Sequence, residues 1–126
     1  MSQRTVLVVE DEPMIRMVLA DALEDEGFLV IEASNVLEAV AVLGIWQVDC
    51  LVTDIDMPGG LNGLDLVKFV RGFDARMTVV VASGGRNPSD AELPASCQFI
   101  PKPYRLEAII ESLSRDADEV SHCAAC

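Results

Sequence analysis

Positive charge is scarce in this chain: nine Lys and Arg stand against 21 Asp and Glu, and the formal net charge is −12. Such a balance opposes attraction to phosphate backbones and anionic lipid, so nucleic-acid and membrane-surface binding are disfavoured. Long apolar runs are missing as well. No segment approaches the ~20 uninterrupted apolar residues of a membrane span, and Met1 to Arg4 carries no apolar stretch, so a soluble, cytoplasmic protein is expected. Neither a Gly-x-Gly-x-x-Gly nor a Gly-Lys-Ser/Thr loop occurs, which removes the usual dinucleotide and nucleotide cradles. Trp46 and Tyr104 are the only residues of their kinds and are read as packing or surface positions. There is no internal repeat and no low-complexity segment.

Cysteine is sparse and irregular, at positions 50, 97, 123 and 126, which excludes a disulfide framework and makes reduced thiols the expectation. His122 and the Cys123-x-x-Cys126 pair lack the two further ligands of a closed zinc site. They are read as part of a flexible tail.

Apolar material is plentiful. Hydrophobic residues make up 51% of the 126 positions, enough for one compact core, and charged residues 24%, too few for disorder. Residues 1–116 are assigned to one domain and 117–126 to a flexible C-terminal tail. Short β-branched runs alternate with amphipathic stretches, the pattern of a parallel sheet covered by helices on both faces. The expected strands are Thr5 to Val9, Phe28 to Ile31, Asp49 to Thr53, Met77 to Ala82 and Cys97 to Pro101. Pro13 opens a first helix carrying Ile15, Val18, Leu19, Ala22 and Leu23, and Gly27 stops it. Ser34 or Asn35 caps a second, with Val36, Leu37, Val40 and Leu43 on its inner face, and Glu38 completes a capping box with Asn35 or assists from the first turn. Leu64, Val67, Phe69, Val70 and Phe73 mark a third; Leu106, Ile109, Ile110 and Leu113 mark the last. Between the fourth and fifth strands, Gly84, Gly85, Pro88 and Pro94 leave room for little more than a turn around Ser89 to Leu93.

In a parallel sheet the residues following each strand gather on one edge, where open α/β folds bind ligands. Here Glu10 and Asp11 follow the first strand, Asp54 and Asp56 the third, Ser83 the fourth and Lys102 the fifth. If the first and third strands are neighbours, four carboxylates crowd together, which calls for protonation or a hard divalent cation. Asp11 and Asp54 are the expected direct Mg²⁺ ligands. Glu12 and Asp65 are read as ordinary helix-terminal or solvent-facing acids.

These residues resemble the receiver domains of bacterial response regulators in two-component signalling, from about Val6 to Leu113. The likeness rests on Val8-Val9-Glu10-Asp11, on Asp54-Ile55-Asp56-Met57-Pro58, on Ser83-Gly84 and on Lys102-Pro103, in that order and after the right strands. The resemblance implies a flavodoxin-like three-layer α/β fold with a five-stranded parallel sheet of order 2-1-3-4-5. It implies that Asp54 is a phosphoacceptor and that Lys102 and Ser83 assist. Mg²⁺ would be held by Asp11, Asp54 and the Asp56 backbone carbonyl, with Glu10 behind them. Ser83 would be the switch hydroxyl, and Phe99 stands where the family carries an aromatic switch, a buried core Phe being the competing reading. The implied partners are a sensor histidine kinase or histidine phosphotransfer protein, a downstream protein target and a phosphorylation-dependent homodimer. A stand-alone adaptor or phosphate sink is expected. The chain departs from the family in a loop one residue longer before Gly63 and a shorter stretch from Ser83 to Lys102, so a very short or mobile fourth helix is expected there. Two other readings stay open: a haloacid-dehalogenase-type phosphatase using Asp54 and Asp56, and a flavodoxin-like nucleotide or flavin binder.

Overall fold

A computed structural model describes residues 3–57, 59–85, 93 and 97–114. Among the described residues, five strands and four helices follow one another: β1 (Thr5–Val9), α1 (Pro13–Asp25), β2 (Leu29–Ala33), α2 (Val36–Leu43), β3 (Cys50–Asp54), α3 (Gly63–Phe73), β4 (Thr78–Ser83), β5 (Cys97–Pro101) and α4 (106–114). The strands form one sheet of order β2-β1-β3-β4-β5, and every neighbouring pair is parallel. The strands β1, β3 and β4 are buried along their whole length, because helices cover both faces. The expected fold and strand order are those observed.

Alternation along the central strands divides the core into two layers. Leu7, Val9, Leu51, Val79 and Val81 point to one face, where they meet Val36 and Ala39 of α2 and Leu64, Leu66, Val67 and Val70 of α3. Val6, Val8, Cys50, Val52 and Val80 point to the other, against Leu19 and Leu23 of α1 and Ile109 and Leu113 of α4. Arg4 ties that second layer to the sheet by donating to the Leu113 carbonyl at 2.9 Å and the Thr78 hydroxyl at 3.2 Å.

Local capping sets the helix phases. The Asn35 side chain accepts the Glu38 N–H at 2.9 Å, so helix α2 begins at Val36. From that start Val36, Ala39, Val40 and Leu43 share the inward stripe, and Leu37 falls on the outer face with 74% of its surface exposed. The inward assignment of Leu37 is therefore corrected. Glu38 reaches back to the Ser34 N–H and hydroxyl, not to the Asn35 backbone, and these hydrogen bonds hold its carboxyl below the usual range.

Helix α1 follows its predicted stripe only in part. Leu19 and Leu23 are buried, whereas Ile15 and Val18 are exposed and face a groove shared with Tyr104 and Leu106. Phe69 and Phe73 also lie mostly outward on α3, edge to face at 5.3 Å. Strand β2 starts one residue later and ends two residues later than expected. The turn expected around Ser89 to Leu93, apart from Leu93 itself, and the tail with His122, Cys123 and Cys126 lie outside the described residues. Leu93 packs against the layer formed with α2 and α3.

The corrected α2 phase has a direct test in urea denaturation. Leu37→Ala is expected to cost under about 0.5 kcal/mol, whereas Leu66→Ala, which empties a buried site, is expected to cost about 3 kcal/mol.

Candidate functional site

The carboxyl edge of the sheet collects the charged residues singled out from the sequence. Asp54 is the last residue of β3 and Ser83 the last of β4, while Glu10 and Lys102 directly follow β1 and β5. Backbone hydrogen bonds extend the ladders past the strand ends: Glu10 N–H to Ala33, Ile55 N–H to Ala82 and Lys102 N–H to Ser83, at 2.9 to 3.1 Å. These bonds fix the loop origins before any side chain acts.

Glu10, Asp11 and Asp54 offer carboxylate oxygens that all lie within 4.8 Å of one another. Glu10 and Asp54 are buried and Asp11 is exposed. The ammonium of Lys102 lies 2.7 Å from Glu10 Oε1 and 3.4 Å from Asp54 Oδ2. Three carboxylates against one ammonium leave two negative charges uncompensated when all are ionised, and all donors are oxygen. That donor set suits a hard divalent cation such as Mg²⁺.

Burial pushes the Asp54 carboxyl above its ordinary value; Lys102 pulls it down, and Glu10 and Asp11 push it up. Lys102 is raised as well: burial acts to lower it, but its hydrogen bonds and charge pairing with Glu10 and Asp54 outweigh that. The cluster thus holds its proton on the amine and resists ionisation of the central acid.

Ser83 is buried, and its hydroxyl donates to Asp56 Oδ2 at 3.3 Å while accepting the Gly85 N–H at 3.3 Å. Asp56 itself is exposed. Phe99 is half-buried against the layer of α2 and α3, so it is neither a fully buried core residue nor a solvent-facing one. The structure therefore brings Glu10, Asp11, Asp54 and Lys102 into one cluster and joins Ser83 to Asp56 beside it.

Two neighbours escaped the sequence reading. Arg16 donates to the Glu10 carbonyl at 2.8 Å and pairs with Glu32 at 3.2 Å, pinning the acidic loop to β2. Gly63, the first residue of α3, lies so close to β3 that an added Cβ would run into the Asp54 carbonyl oxygen. Its N–H also donates to Ile55 at 2.8 Å. Asn62 and Asp65 close a reciprocal capping box there, which gives Asp65 the structural role expected of it. The only sequence signal for Gly63 was its place just before an amphipathic run.

Beside Lys102 opens a largely apolar groove of about 680 Å³ lined by Met14, Ile15, Val18, Pro103, Tyr104 and Leu106. Burial raises the Tyr104 hydroxyl above its ordinary value, with Lys102 pulling it down and Glu10 and Asp54 pushing it up.

Comparison with known proteins agrees with this geometry. Residues 6–114 match the family model of the response regulator receiver domain. A putative NtrX-like response regulator of Rickettsia conorii is 31% identical over 91% of this chain, and the match spans only 25% of that protein. The chemotaxis protein CheY of Bacillus subtilis is 29% identical over 87% of this chain and 94% of its own length. Among solved structures, a response regulator receiver protein from Sinorhizobium medicae superposes with a TM-score of 0.85 at 24% identity, covering 93% of this chain and 96% of that one. The chain belongs to the response regulator receiver domain family, a signalling family of two-component systems. The phosphatase and flavin-binder readings give way to that membership.

Two measurements test the site's construction. Gly63→Ala is expected to lower stability by about 2 kcal/mol, because backbone must shift to admit the methyl group. Asp54→Asn is expected to raise the melting temperature at neutral pH without Mg²⁺. A raised folded-state value means that wild type keeps this contribution below the ordinary value of 3.8 and loses it as pH rises through the raised one. The gain of the variant should therefore grow across that window and vanish in acid; a pH-independent difference would refute the assignment.

Proposed function

We propose that this chain accepts a phosphoryl group on Asp54 from a phosphohistidine and transmits the resulting state through its protein-binding surfaces. The observation that carries the reading is the meeting of Glu10, Asp11 and Asp54 at the sheet edge, with the Lys102 ammonium against Glu10 and Asp54. Receiver domains bind Mg²⁺ at an acidic pocket of this kind. In this chain Asp11, Asp54 and the Asp56 backbone carbonyl would hold it, with Glu10 behind them. Bound there, Mg²⁺ supplies positive charge to the transferring phosphoryl group.

A carboxylate oxygen of Asp54 forms the new P–O bond as the P–N bond to the donor histidine breaks, and the electron pair leaves with the imidazole. Lys102, 3.4 Å from Asp54, places its ammonium where it offsets the repulsion between the anionic acceptor and the anionic phosphoryl group. Glu10 positions that amine through the 2.7 Å contact. After transfer the Ser83 hydroxyl donates to a phosphoryl oxygen and draws the loop that follows β4 towards Asp54, and Phe99 follows as the aromatic switch. The chemistry of the chain is limited to its own phosphorylation and dephosphorylation.

Receiver domains interact with histidine kinases and with downstream targets. The apolar groove of Met14, Ile15, Val18, Pro103, Tyr104 and Leu106 adjoins Lys102 and so suits the docking of the phosphodonor protein beside the acceptor. The excess of acidic residues argues against nucleic acid as the target. Among the described residues no helix is long and apolar enough to cross a membrane.

Incubation with phosphoramidate and Mg²⁺, followed by intact mass measurement, tests the reading. One phosphoryl group per chain is expected for wild type, none for Asp54→Ala or after chelation of the metal, and a rate at least about 100-fold lower for Lys102→Ala. Undiminished uptake by Asp54→Ala would remove the proposal.

A further inference from the structure

Ser83 has little freedom in its main chain. It pairs with Pro101 in the β4–β5 ladder, its carbonyl accepts the Lys102 N–H at 2.9 Å, and only 2% of its surface is exposed. The hydroxyl rotor is the part that can change partner, and a hydroxyl has a single hydrogen to give. That hydrogen is directed to Asp56 Oδ2 at 3.3 Å. The Gly85 backbone closes on the same carboxylate, since a Cβ at Gly85 would stand only 3.2 Å from Asp56 Oδ2. The loops after β3 and β4 are thus joined through Asp56.

We infer that Asp56 is a positioning residue that holds the Ser83 hydroxyl off the acceptor, so that phosphorylation must compete with the Asp56 carboxylate for one hydrogen. The inference rests on the phosphoacceptor reading and adds to it the regulation of the same site. The 3.3 Å separation is longer than the ~2.7 to 2.8 Å of a tight hydroxyl–oxygen bond, so the contact is weak enough to exchange. Asp56 is exposed, and water replaces the hydroxyl when it leaves. The exchange makes and breaks hydrogen bonds only. Its consequence is a bias towards the unphosphorylated arrangement, set by Asp56 and transmitted solely through Ser83.

A double-mutant cycle separates this bias from simple charge repulsion. Wild type, Asp56→Ala, Ser83→Ala and the double variant of this 126-residue chain are titrated with beryllofluoride, a phosphoryl mimic, at saturating Mg²⁺ and followed by fluorine NMR. Asp56→Ala is expected to bind about fivefold more tightly than wild type, the size of one released hydrogen bond, and no more tightly than its parent in the Ser83→Ala background. Asp56→Asn, which keeps an acceptor oxygen, is expected to gain less than Asp56→Ala. Equal tightening in both backgrounds would assign the effect to charge alone and overturn the inference, as would an unchanged affinity. Phosphoramidate treatment of the wild type is read in parallel: failure to gain a phosphoryl group overturns the phosphoacceptor reading itself, whereas a gain with a flat cycle overturns only the role of Asp56.

Discussion

The contact between the Lys102 ammonium and Glu10 at 2.7 Å governs the chemistry of the sheet edge, because it decides how one positive charge is divided among three acids. Two of those acids are buried, and a buried carboxylate without a partner is costly. Glu10 takes the shorter bond, and Asp54 stands 3.4 Å from the same amine. Asp54 is left under-compensated, with its carboxyl raised by burial and by its acidic neighbours. A site of this kind holds its central acid ready for an incoming positive charge.

Rigidity around that cluster comes from elements that carry no charge chemistry of their own. Hydrogen bonds running past the ends of β1, β3 and β5 orient the loops, and Arg16 clamps the acidic turn from the side. The absence of a side chain at Gly63 lets the start of α3 lie against the Asp54 carbonyl, so the end of β3 is backed directly by helix. Two packed layers beneath, one built with α2 and α3 and one with α1 and α4, hold the sheet edge as a unit.

Signalling requires that a change at this edge reach a surface. The groove beside Lys102 brings apolar side chains of α1 and the β5–α4 connection within reach of the reactive edge, and Tyr104 within range of its charges. The Ser83 hydroxyl in turn bridges the Gly85 N–H and Asp56, so the ends of β3 and β4 already communicate. The family membership of residues 6–114 and the charge geometry point to the same kind of device by independent routes.

Much of this was legible in one dimension. Continuous β-branched runs ending in acids, a Ser and a Lys placed the candidate residues on one edge, because parallel strands all present the same end. The cap at Asn35 and the start of α1 at Pro13 were readable as well, since both act within a few residues of themselves. What the sequence left undecided depends on partners far along the chain. Leu37 was misplaced because several apolar residues of α2 compete for the inner stripe, and only packing against the sheet and α3 selects among them. Arg16 and Gly63 looked ordinary because their importance lies in backbone atoms of Glu10 and Asp54 that they touch only after folding. The residue types at the edge were determined locally; which carboxylate shares the amine, and which one captures the Ser83 hydroxyl, was decided by distances of a few ångströms that exist only once the strands are side by side.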